Sequence, residues 1–240
     1  MRIDGRASDE LRPVSIVLGY QTFAAGSALI EVGQTRVLCS VGVEDRVPPF
    51  LRNRGVGWVT AEYSMLPNST MTRTPREVSR GRVSGRSQEI QRLIGRSLRA
   101  VTDMRLLGER TFTVDCDVLQ ADGGTRMAAV TGGYVALYQA LRNLVKQGAL
   151  KTMPLKCAVA GVSAGVVDGD HLLDLCYEED SRADVDLNVV MTEKREFVEI
   201  QGTGETAPFP RETVNRLLAL AETGIAELLR VQQGSLARLG

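Results

Sequence analysis

From Thr111 to Gln120 apolar and polar residues alternate: Phe112, Val114, Cys116 and Val118 share one face, and Thr113, Asp115 and Asp117 the other. A half-buried strand is expected there. Upstream, residues 14–47 alternate or run apolar between glycine breaks, as in Ser27-Ala-Leu-Ile-Glu-Val-Gly33 and Thr35-Arg-Val-Leu-Cys-Ser-Val41, which predicts two or three strands. Gly57 to Tyr63 reads as another. Residues 66–82, rich in Pro, Asn, Thr, Ser and Arg, read as a loop. Ile90, Leu93, Ile94 and Leu98 then fall at helical spacing, with Arg92, Arg96 and Arg99 off that stripe. An amphipathic helix with a basic outer side is expected from near Ser84.

A second helix is expected from Thr125 to about Gln147, where Ala128, Ala129, Gly132, Gly133 and Ala136 form a small-residue surface. The glycine pair costs helix propensity, so close packing has to compensate. Val159 to Leu175 reads as a hairpin turning at Asp168-Gly169. Leu187 to Met191 reads as a buried strand paired with Glu196 to Gln201. After Pro208-Phe209-Pro210, Arg211 to about Arg230 reads as a long amphipathic helix, and residues 234–240 are expected to fray. The succession predicts one α/β domain over residues 1–240, in α+β layers with antiparallel and mixed strands. The repeated order of strands and helices admits an internal duplication.

Composition narrows the class. At 240 residues and 43% apolar content the chain is large enough to bury a real core. No apolar run approaches the ~18 residues of a membrane span, and the first residues lack the apolar segment of a signal peptide, so no membrane association is expected. Cys39, Cys116, Cys157 and Cys176 are too scattered for a zinc site or a disulfide framework, and a reducing cytoplasm fits them best.

Net charge is zero, but its distribution is not even. Only four of the 29 basic residues are lysine, and eight arginines (73, 76, 80, 82, 86, 92, 96 and 99) meet only Glu77 and Glu89 between positions 73 and 99. Such a run fits an anionic partner, because the guanidinium fork matches phosphate oxygens. A solvated helix face is the plainer alternative.

Several chemistries drop out. Gly202-Thr-Gly204-Glu-Thr-Ala207 imitates a dinucleotide fingerprint, but Pro208 and Pro210 stand where its helix would already run. No P-loop and no GxSxG motif occurs, and His171 is the only histidine. If the protein is an enzyme, its nucleophile is expected not to be a side chain.

Gln120-Ala-Asp-Gly-Gly-Thr-Arg-Met-Ala128 lies where a predicted strand passes into a predicted helix. Unpaired N–H groups at a helix start, two glycines, the Thr125 hydroxyl and the Arg126 guanidinium together suit an anion. A simple capped turn would look similar. Arg86, in Gly85-Arg86-Ser87, opens the preceding helix in the same way. Between Tyr177 and Asp186 five acids fall within ten residues. Asp180 and Asp186, or Asp184 and Asp186 if the strand starts early, offer the paired carboxylates that Mg²⁺ takes beside phosphate oxygens. By itself the acidic loop equally suits a surface that balances the arginines.

Together these blocks resemble the ribonuclease PH family, bacterial phosphorolytic 3′-to-5′ exoribonucleases also called tRNA nucleotidyltransferases. The resemblance runs nearly end to end through Arg2-Ile-Asp-Gly-Arg6, Glu10-Leu-Arg-Pro13, Gly57 to Pro67, Ser84 to Gly95, Asp115 to Arg126, Glu179-Asp-Ser181, Val185-Asp186, Gln201-Gly-Thr203 and Pro208-Phe209. It implies duplicated mixed-sheet and helix units, the ribosomal protein S5 domain 2-like fold. It implies inorganic phosphate as co-substrate on Arg86, Gly124, Thr125 and Arg126. It implies Asp180 and Asp186 as catalytic carboxylates that hold Mg²⁺. Arg73 and Arg76 would touch tRNA, and trimming would act on tRNA precursors and other RNA 3′ ends, ribosomal RNA included. A homohexamer, a trimer of dimers, is implied as well. Asn68, Cys176 and Gly204-Glu-Thr206 depart from the family's usual residues, none within the phosphate or carboxylate set. A non-catalytic exosome-like ring subunit is the alternative, and it would be expected to lose that set.

Overall fold

The computed structural model describes residues 2–239, without the side chains of Val78 and Arg80. Arg80 of the basic run therefore lies outside the described side chains. Strands β1 (Val14–Leu18), β2 (Gly26–Val32), β3 (Thr35–Glu44), β4 (Trp58–Met65) and β5 (Thr111–Gln120) form one sheet in the order β1-β2-β3-β5-β4. Strands β1, β2, β3 and β5 pair antiparallel, whereas β4 lies parallel to β5. Parallel neighbours need a long crossover, supplied here by the segment carrying helix α1 (Gly85–Ala100). Ser84 caps α1 by accepting from the Ser87 N–H at 3.1 Å. Ile90, Leu93, Ile94 and Leu98 are all fully buried, as their spacing predicts. The loop expected over 66–82 contains one 3-10 turn at Glu77–Arg80. Two of the arginines expected on the free outer side of α1 are engaged within the fold. Arg96 pairs with Glu199 at 2.8 Å, and Arg99 lies 4.4 Å from the Trp58 ring centre while donating to the Val59 carbonyl.

The second sheet is antiparallel throughout, in the order β7 (Asp170–Leu173), β6 (Val159–Val167), β8 (Val185–Thr192), β9 (Phe197–Gly204). A one-turn helix α3 (Tyr177–Asp180) links β7 to β8. Helix α2 (Thr125–Lys146) leaves the end of β5, packs on β2 and β3, and reaches β6 of the second sheet. Gly132 makes this approach possible: a Cβ there would stand 2.7 Å from a methyl of Ile30. Helix α4 (Arg211–Ala237) covers β6, β7 and β8 and touches β1. It runs seven residues past Arg230, so residues 234–237, expected to fray, form its last turn instead. Tertiary contacts explain the extension. The buried Gln232 amide donates to the Thr131 and Val159 carbonyls, both at 3.0 Å, and Arg142 holds the Leu239 carbonyl at 2.7 Å. Gly240 of that tail lies outside the described residues.

Candidate active site

The strand-to-helix junction after β5 is built from residues that no other types could replace easily. Gly123 and Gly124 have φ of +74° and +66°, and a Cβ on Gly123 would stand 2.4 Å from the Leu175 carbonyl. Gly124 is the N-cap of α2 and brings no side chain to the cap. The Thr125 and Arg126 N–H groups consequently point out of the helix start with no partner among the described residues. The capped-turn alternative is thus excluded: neither Asp122 nor Thr125 caps the helix. Asp122 instead accepts from the Tyr177 N–H at 3.1 Å, which ties the glycine loop to α3.

Around this helix start lies a cleft of about 880 Å³, into which Arg86, Gly124, Thr125, Arg126, Asp180 and Asp186 all face. The two helix starts and the acidic loop therefore meet in one place. Burial and the two arginines set the local electrostatics. Asp186 is pushed up to about 6, first by burial and then by the charge of Asp180, against the pull of Arg126 and of the Asn188 amide. Asp180, at the open side, is also raised by burial, with Arg86 and Arg126 pulling the other way. Both arginine fields also reach the buried Tyr63 hydroxyl, which desolvation nevertheless drives upward. Arg86 makes no hydrogen bond or ion pair among the described residues, while Arg126 is steadied by Gln201 at 2.9 Å and lies 3.6 Å from Glu89.

Two buried polar atoms in the lining have no partner among the described residues: Oδ1 of Asp186 and Oγ of Ser163. The other oxygen of Asp186 accepts from Asn188 at 3.0 Å. Unpaired buried polar atoms are costly, and both of these stand in the wall of the cleft, within reach of anything bound there. The donor set suits Mg²⁺ with phosphate oxygens and waters completing its shell. Among the described residues no group of three or more His, Cys, Asp or Glu side chains could hold a metal by itself. Asp184 does not join Asp186 on a strand face: β8 begins at Val185, and Asp184 lies near the Thr206 hydroxyl instead.

Arg73 and Arg76 lie in the exposed segment before α1, outside the cleft lining. The charge of Arg76 is felt by Asp117 on β5. Sequence reasoning passed over Ser163, Asn188, Gln201 and Tyr63. Asn188 was recoverable, since two residues from Asp186 in a strand means the same face. Ser163 and Gln201 were not. They flank Asn188 across the sheet, paired with it from β6 and β9, and only strand register creates that row.

Comparison with known proteins identifies the family. Residues 10–142 match the 3′ exoribonuclease family, domain 1, and residues 157–224 match domain 2 of the same family. The chain is 59% identical over 233 residues to Ribonuclease PH of Dehalococcoides mccartyi strain CBDB1, spanning 97% of each chain. It is 58% identical over 232 residues to Ribonuclease PH of Syntrophomonas wolfei, again spanning 97% of each. Among solved structures, the Archaeoglobus fulgidus exosome with RNA bound to the active site superposes with a TM-score of 0.80 at 24% identity, over 95% of this chain and 91% of that one. Rice (Oryza sativa) Rrp46 superposes with a TM-score of 0.78 at 20% identity, over 98% and 100%. At those identities the structures establish the fold alone. The two matched domains and the close, full-length relatives establish more: the chain belongs to the ribonuclease PH family of 3′ exoribonucleases.

Proposed function

We propose that this protein is a phosphorolytic 3′-to-5′ exoribonuclease that trims tRNA precursors, with ribosomal RNA ends as a second substrate. One observation carries the reading above all: a single cleft joins free arginine and N–H donors to a carboxylate pair, with no histidine to activate a side-chain nucleophile. Inorganic phosphate itself serves as nucleophile. Its oxygen attacks the last phosphodiester phosphorus, the bond to the leaving 3′-oxygen breaks, and a nucleoside diphosphate departs from the shortened chain. A phosphodiester is exchanged for a phosphoanhydride, so the step reverses, and the same site acts as a tRNA nucleotidyltransferase when supplied with nucleoside diphosphates.

The obstacle is electrostatic, since two anions must meet in a partly dry cleft. Arg86, Arg126 and the N–H groups of Thr125 and Arg126 hold the attacking anion in place, so positioning and charge supply most of the catalysis. Asp180 and Asp186 would hold Mg²⁺, which supplies charge neutralisation at the reacting phosphate and the leaving oxygen. Arg73 and Arg76 would grip the RNA backbone outside the cleft. We further propose the homohexamer, a trimer of dimers, and a cytoplasmic setting, which the four free cysteines favour.

The test is a tRNA precursor with a 3′ tail, Mg²⁺, and phosphate present or absent. Nucleoside diphosphates that form only with phosphate support the reading; monophosphates, or equal decay without phosphate, overturn it. Arg126→Ala should raise the KM for phosphate about tenfold or more, the loss expected of a charge-assisted hydrogen bond. Arg76→Ala should weaken RNA binding and reduce its salt slope by about one.

A further inference from the structure

Among the described residues Tyr177 is the only aromatic one lining the cleft, and the residue is 53% exposed. An exposed tyrosine on a loop is ordinary, but the backbone of this one is held in place. Its own N–H donates to Asp122 of the glycine loop at 3.1 Å, and its carbonyl accepts from the Ser181 N–H at 2.9 Å. Two residues on, Glu179 is buried and takes a fork from Arg2, with Nε at 2.9 Å and Nη2 at 2.7 Å. The turn carrying the ring is thereby clamped to both the phosphate loop and the N-terminal segment. Tyr177 and Asp180 stand three residues apart on α3, on the same side of the turn. No ring of the protein stacks on Tyr177 among the described residues.

A half-exposed aromatic ring on a clamped turn, beside an anion cradle and a carboxylate pair, fits a nucleobase. We propose that Tyr177 is a stacking platform for the base at the 3′ end of single-stranded RNA, which aligns the terminal phosphodiester with the bound phosphate. Stacking uses the π-face common to all four bases, so trimming can proceed through any sequence. The inference rests on the exoribonuclease reading above.

The experiment uses the full-length protein without phosphate and a short oligoribonucleotide carrying 2-aminopurine at its 3′ end, whose fluorescence stacking quenches. Wild type and Tyr177→Phe should quench it, whereas Tyr177→Leu, of similar bulk but without a flat face, should not. With phosphate present, Tyr177→Leu should raise the KM for RNA between about 5- and 150-fold while leaving the KM for phosphate unchanged. A Tyr177→Ala variant serves as a second truncation, with circular dichroism checking its fold. Equal quenching by Tyr177→Leu and wild type overturns the proposal, as does a loss shared equally by both substrates. Wild-type protein that quenches 2-aminopurine yet releases no diphosphates would instead sink the exoribonuclease reading and leave the stacking site standing.

Discussion

The Gln201 side-chain carbonyl accepts a 2.9 Å hydrogen bond from Nη1 of Arg126, across the gap between β9 and the start of α2. That contact anchors one nitrogen of a guanidinium that lines the cleft. Glu89 competes for the same nitrogen at 3.6 Å. In a Gln201→Ala variant Arg126 loses its neutral anchor and is free to swing toward Glu89. The KM for phosphate should rise about fivefold or more, with kcat less affected. Gln201→Glu should be worse, because a second carboxylate cancels the arginine's field at Asp186 as well. Steady-state kinetics with varied phosphate checks both; a Gln201→Ala enzyme with wild-type phosphate KM would disprove the anchoring role.

Tyr63 and Thr125 share a 2.9 Å hydrogen bond between buried hydroxyls. When Tyr63 donates, the Thr125 proton is aimed at the anion. Tyr63→Phe should therefore cost about 1 kcal/mol of phosphate binding. Added to Thr125→Val, the same change should cost nothing more. A double-mutant cycle on phosphate affinity reads the coupling, and additive losses would show that the two hydroxyls act separately.

Arg12 and Asp174 form a buried pair beneath the glycine loop. The Arg12 Nε and backbone N–H both reach Asp174 at 2.9 Å, Nη2 reaches it at 2.6 Å, and Nη1 donates to the Asp122 carbonyl. Removing Arg12 leaves the buried Asp174 carboxylate with only Arg6, 3.6 Å away, as a cationic partner. Arg12→Met should destabilise the fold by roughly 3–5 kcal/mol, measured as the urea midpoint at constant slope. A loss below about 1 kcal/mol would mean that water replaces the arginine.

Asp115 on β5 stands across from Glu62 of the neighbouring strand, with Asp117 two residues on. Burial first, then these two charges, push it up to about 6 from an ordinary 3.8. The folded state therefore holds its proton longer than the unfolded one. The penalty is absent below 3.8, grows as pH rises to about 6, and stays constant above. Asp115→Asn should then be more stable than wild type at about pH 7.5, on the order of 1 kcal/mol after discounting for its partial exposure, and no more stable at about pH 3.5. Thermal melts at both values test it; an equal gain at both would remove titration as the cause.

Much of this protein is determined locally. The alternation in β5, the buried stripe of α1 and the small-residue face of α2 are written in periods of two and 3.6, so the elements and their inward faces can be read from the chain. So can the residue types of Gly123-Gly-Thr-Arg126 at a strand-to-helix junction, although a capped turn would read the same and only the structure shows that no side chain caps the helix. Proximity is different. Whether Arg86, Arg126, Asp180 and Asp186 meet depends on the crossover through α1 and on α2 bridging two sheets. The row Ser163–Asn188–Gln201 exists only through the register of three strands. The unpaired oxygens of Asp186 and Ser163, and the upward shift of Asp186, arise from burial, which depends on everything packed around them. The helical tail past Arg230 is likewise held by the Thr131 and Val159 carbonyls on Gln232 and by Arg142 on Leu239, partners that lie far away in the chain. Sequence alone determines which groups are present and which way each element faces; only the tertiary structure decides what they are close to, because distance and dielectric belong to the packed whole.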